Sequence, residues 1–130
     1  MDEEYEQIER EVNALKLENG EQFQYRNRNY TIWITPKKEI GDSPPCFWQR
    51  SDITNGWDIY LIQEIRDKFK RAVILHEAVE ARTCEELRDY QKAHEIARHQ
   101  DRKYASIHFD KTELSEYFEL EKELGEFFRI

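Results

Sequence analysis

Long hydrophobic runs are missing from this chain of 130 residues. No segment approaches the ~20 apolar residues of a membrane span, so no transmembrane helix is expected. Glycine and proline are scarce, at four and three, which argues against a disordered or low-complexity chain. Cysteine occurs twice, as Cys46 and Cys84, at a spacing that fits neither a paired metal motif nor a redox motif. Both are expected to be free thiols. Positive charge is outweighed: 20 Lys and Arg stand against 28 Asp and Glu, a formal net charge of -8. That balance disfavours nucleic acid and anionic membrane as partners, because both are polyanions. Arg26 and Arg28 form only a small basic spot, expected to be solvated. Met1-Asp2-Glu3-Glu4 has no apolar run behind it, so no signal peptide is expected and the cytoplasm is the expected compartment.

What the chain has is charge and aromatic bulk. Charged residues make up 37% and the mean hydropathy is -0.97, so apolar residues must be used economically. Seven Phe, seven Tyr and three Trp supply large buried areas. The length fits one domain over residues 1–130 with one main core.

Residues 2–19 read as a helix with Asp2 as cap, Gly20 as stop and Tyr5, Ile8, Val12 and Leu15 on one stripe. Residues 21–63 read as a small, mostly antiparallel sheet. Phe23 and Tyr25 alternate with Gln, Arg26 to Asn29 is a turn, and Tyr30, Ile32 and Ile34 alternate again up to Pro36. Lys37 to Pro45 is a loop. Cys46–Arg50, behind a double proline, suits an edge strand. Asn55-Gly56 signals a tight turn before the strand Trp57–Gln63.

From Glu64 the period becomes helical. One helix is predicted to about Thr83 and the next over 85–105, folded back on the first, with Leu87, Tyr90, His94, Ala97 and Tyr104 inward and Asp101 in register. The last is predicted over 111–128, with Asp110 and Glu113 as a capping box and Leu114, Tyr117, Phe118, Leu124, Phe127 and Phe128 on its apolar face. The fold class is therefore α+β, a small sheet packed with four helices.

The most apolar stretch, residues 71–82, carries His76, Glu77 and Glu80. On a helix, His76 and Glu80 share one face a turn apart. That spacing lets one helix supply two ligands to a metal. His94 lies on the inward face of the following helix, where a merely solvated histidine is not expected. Antiparallel helices pack about 8–10 Å apart, so the three side chains can converge. Two imidazoles and a carboxylate form a catalytic zinc set with its fourth position open to water. Zinc brings the pKa of that water to about 7. Iron or manganese could use the same ligands. Glu77, a third of a turn from His76, is the candidate general base.

Leu75-His76-Glu77-Ala78-Val79-Glu80-Ala81, placed after a strand, resembles the active-site helix of zincin-like metallopeptidases, whose signature is H-E-x-x-H. The resemblance covers roughly residues 30–100. It implies a zincin-like minimal domain, with His76 as ligand and Glu77 as general base. It also implies that Cys46–Arg50 is the edge strand that takes a peptide or protein substrate by strand addition, and that Trp57–Gln63 leads into the helix. Glu80 departs from the signature, standing where the family has its second His. The family's third ligand lies on a later helix, and here that position falls to His94. Glu and His have then exchanged places.

Three readings compete: a metal-dependent peptidase using His76, Glu80 and His94 with Zn2+ or another divalent metal; an inactive zincin-like module that binds metal and a partner; and an interaction protein, for instance a homodimer, with the three as a metal-free polar network. Ordinary roles account for the other candidates. His99 and His108 are expected at the surface, Glu95 and His99 as a side-chain pair, and Trp33, Trp48, Trp57 and Tyr104 in the core.

Overall fold

The computed structural model describes residues 2–126. It is an α+β fold. Helix α1 spans Glu3–Ala14, strands β1 to β4 span Gln22–Tyr25, Arg28–Thr35, Cys46–Arg50 and Gly56–Ile62, and helices α2 to α4 span Asp67–Leu87, Tyr90–His108 and Lys111–Glu126. Phe127 and Phe128 lie outside the described residues.

The sheet has the order β1-β2-β4-β3. Its two outer pairings are antiparallel, as expected. The central pairing of β2 with β4 is parallel, with Tyr30 opposite Trp57 and Ile32 opposite Ile59. The sheet is therefore mixed. The chain leaves β2 through a 3-10 turn at Lys37–Glu39, builds β3 at the far edge, and returns to insert β4 between the two. This insertion requires a close approach at Gly56, where a Cβ would overlap the backbone carbonyl of Asn29. Gly56 thus opens β4 rather than a tight turn. The connection is the longer loop 51–55, in which the Ser51 hydroxyl accepts from the N–H groups of Ile53 and Thr54. The first hairpin is the tight one: Arg26 and Asn27 both take positive φ, 49° and 65°, as a two-residue turn between right-twisted strands demands.

Helix α1 buries Tyr5, Ile8 and Val12, with Asp2 accepting the Tyr5 N–H as its cap. It ends at Ala14, short of the expected Asn19, because the Glu21 carboxylate accepts the N–H groups of Lys16, Leu17 and Glu18 and folds them into a loop. Gly20 follows at φ 86°, outside any helix. Arg26 and Arg28, expected to be solvated, are instead paired with Glu86 and Glu85 at the end of α2.

Helix α2 is the centre of the molecule. Ala72, Ile74, Leu75, Ala78 and Ala81 are fully buried between the sheet, α1 and α3. It continues past Thr83 to Leu87, where Arg88 turns left-handed at φ 55° and Asp89 caps α3 by accepting the Lys92 N–H. Leu87 and Tyr90 flank this turn and are half exposed rather than inward. Asp110 and Glu113 form the expected capping box of α4, each accepting the other's backbone N–H. Tyr117 is buried; Phe118 is exposed. No helix among the described residues is long and apolar enough to cross a membrane.

Candidate metal centre

The two-residue connection makes α2 and α3 an antiparallel hairpin. Its register is visible in two cross-helix bonds, Glu80 to His94 near the turn and His76 to Asp101 further away. Glu80 is the hub. Its Oε2 lies 3.0 Å from His76 Nε2 and 2.6 Å from His94 Nδ1. Its Oε1 accepts the indole N–H of Trp48, on β3, at 2.8 Å. On the other side of His76, Nδ1 lies 2.9 Å from Asp101 Oδ1, and the Tyr117 hydroxyl of α4 donates to Asp101 Oδ2. The sheet and three helices thus meet at one point. His76, Glu80 and His94 each offer a donor atom within 4.8 Å of the other two. No family model, curated protein or solved structure matches this chain. What the site can do follows from its chemistry alone.

The donor set fits a metal in two respects. A tetrahedral ion with bonds near 2 Å holds its donors about 3.3 Å apart, and Glu80 Oε2 already lies 3.0 and 2.6 Å from the two imidazole nitrogens, with all three donors within 4.8 Å. Asp101, at 1% exposure, faces Nδ1 of His76. When Nδ1 carries the proton, Asp101 accepts it and the Nε2 lone pair points at Glu80 and His94. A carboxylate behind a histidine in this way is the usual outer support of a metal-binding imidazole.

Without a cation, the electrostatics are severe. Glu77, Glu80 and Asp101 are three buried carboxylates around two imidazoles. Both nitrogens of His76 face carboxylates, so a neutral ring satisfies only one of them as donor. Burial alone would lower the His76 pKa, but its bonds to Asp101 and Glu80 outweigh burial and raise it to about 10. Burial alone would raise Glu80; its bonds to His76, His94 and Trp48 win and hold it low. Glu77 has only the weak thiol donor of Cys46. Burial pushes it up, the charge on His76 offsets part of this, and Glu80 adds to the rise.

Glu77 does not join the three donors. It lies in the adjoining cleft with Cys46, Val73 and the α4 residues Tyr117, Glu121 and Leu124. The open space there is about 40 Å³, which suits a few waters. His99 is exposed, while His108 is partly buried and pairs with Glu9 at 2.9 Å. Trp33 bonds to Asp58, and the hydroxyl of buried Tyr104 donates to Asn13. Cys46 and Cys84 are free.

Three residues of the centre are not recognisable as such from the sequence. Asp101 has the clearest signal, since it sits on an apolar stripe and an inward carboxylate always asks for a partner. Trp48 looks like core packing, and Tyr117 like an apolar ring.

Proposed function

We propose that the chain binds a divalent metal through His76, Glu80 and His94 and uses it in hydrolysis, on the plan of the zincin-like metallopeptidases. The observation that carries this reading is the convergence of two imidazoles and a carboxylate with Asp101 behind His76. Two features of the fold support the zincin comparison: β3 is an edge strand antiparallel to β4, and β4 leads into the helix that bears His76. A bound metal would supply Lewis acidity towards water and a carbonyl oxygen. His76, Glu80 and His94 hold the ligand positions, and Trp48 and Asp101 orient two of them. Glu77, buried and raised in pKa, is placed to take a proton from a water in the cleft and hand it to a leaving group. A peptide substrate would lie along the outer edge of β3.

The small cleft favours a second reading, a metal-binding module without turnover. About 40 Å³ admits water but not a peptide while α4 stands over it.

Element-specific analysis of protein purified without a metal-binding tag tests the shared premise. Near-stoichiometric zinc, iron or manganese in wild type, lost in His94→Ala, is the expected result. Metal-free wild type that also takes up none of these ions on titration would leave only the metal-free polar network.

A further inference from the structure

We propose that Tyr117 of the C-terminal helix is a positioning residue for His76, acting through Asp101, so that docking of α4 and binding of a divalent cation reinforce each other. This rests on the metal reading of His76, Glu80 and His94.

The chain of contacts is continuous and buried. Tyr117 is 2% exposed and Asp101 1%. The Tyr117 hydroxyl donates to one carboxylate oxygen of Asp101, and the other oxygen lies 2.9 Å from His76 Nδ1. The hydroxyl therefore sets the plane of the carboxylate, and the carboxylate sets the tilt of the imidazole. Take the hydroxyl away, and the Asp101 carboxylate loses its second anchor and can rotate towards the cleft that it lines. His76 then loses the contact that aims Nε2 at Glu80 and His94.

The tyrosine ring has a separate role. It packs against Phe69 and Phe109, at centroid distances of 5.7 and 5.4 Å. Phenylalanine preserves that packing, so Tyr117→Phe separates the hydroxyl's effect from the ring's. Other polar ties of α4 among the described residues are Lys68 and Arg66 to Glu113, Arg66 to Glu116, and Arg98 and Arg102 to Glu121. Those to Glu113 and Glu116 are largely exposed and hold a helix weakly. If the hydroxyl strengthens metal binding, the metal must strengthen the hydroxyl's bond by the same factor, because coupling between two binding events is reciprocal.

The test titrates Zn2+ alone, against a competing chelator, into wild type, Tyr117→Phe, Asp101→Asn, the double variant and Tyr104→Phe. Asp101→Asn should weaken binding about 10–100-fold, as loss of a supporting carboxylate does. Tyr117→Phe should weaken it about fivefold, the worth of one hydrogen bond. In the Asp101→Asn background it should cost nothing further, because its route is gone. Tyr104→Phe also removes a buried tyrosine's bond, to Asn13, and should leave zinc affinity unchanged. Hydrogen exchange supplies a second readout. Zinc should slow the amides of residues 114–121 in wild type and slow them less in Tyr117→Phe. Equal zinc affinity in wild type and Tyr117→Phe, or full additivity in the double variant, overturns the coupling and leaves the metal site standing. Absence of zinc binding in wild type overturns both.

Discussion

Trp48, on the edge strand, donates its indole N–H to Glu80, on the central helix, at 2.8 Å. The two are 32 positions apart, and this bond ties the sheet's edge to the hub of the candidate metal centre. Trp48→Phe keeps an aromatic ring against Trp57, whose centroid is 5.1 Å away, but strips Glu80 Oε1 of its donor. The expected cost is about 1–3 kcal/mol of unfolding free energy, the range for a buried polar group left without its partner. Urea denaturation of metal-free protein measures it. A loss well below that range would mean that water replaces the indole at no cost.

Glu77→Gln separates hydrolysis from metal binding. Glutamine fills the same space but cannot take a proton at neutral pH. Metal content should stay at the wild-type level, and any peptide cleavage should fall by about 10²–10⁴-fold. A peptide library incubated with both proteins reads this out. If metal-loaded wild type cuts nothing that the variant spares, peptidase activity is rejected in favour of the binding module.

The metal-free protein should be most stable in mildly acidic solution. His76 is raised from 6.5 to about 10, so its stabilisation is complete below pH 6.5 and drains away as pH rises towards 10. Glu80 is depressed from 4.5, so its stabilisation is present above pH 4.5 and lost as pH falls below it. Glu77 is raised from 4.5 to about 7, which adds a cost as pH climbs through that interval. The urea midpoint should therefore be higher at about pH 5.5 than at about pH 9. Metal reverses the alkaline arm, because its affinity increases as competing protons leave. A metal-free midpoint that climbs steadily across this range contradicts the charge assignment.

Ile8 is fully buried on the face of α1, between Tyr5 and Val12. Ile8→Ala should cost about 2–5 kcal/mol, the range for emptying a packed aliphatic site. Amides of residues 6–12 should be protected from exchange in wild type. Loss of that protection with the rest of the fold intact would show that α1 docks only weakly.

The α2 stretch is legible in the sequence because packing alone does not call for ionisable His76 and Glu80, one turn apart, inside an apolar run. Placing His94 inward requires only helical periodicity. The parallel pairing of β2 and β4 is not legible, since alternation looks the same whichever way a neighbour runs. Helix ends escape a sequence reading where side chains from elsewhere decide them. Glu21 draws three amides out of α1, and the left-handed Arg88 stops α2 four residues later than expected. The partners Trp48 and Tyr117 lie 32 and 16 positions from the carboxylates they serve, and no local pattern encodes such distances.

The insertion of β4 between β2 and β3 also constrains the order of assembly. As the chain emerges, β1 and β2 can pair at once, but the inner edge of β2 keeps its backbone donors and acceptors unpaired until the middle strand is made. That strand is separated from α2 by only four residues, 63–66. The event that closes the sheet therefore delivers the helix bearing His76 and Glu80, and a nascent chain halted before Gly56 has neither a completed sheet nor any part of the candidate ligand set.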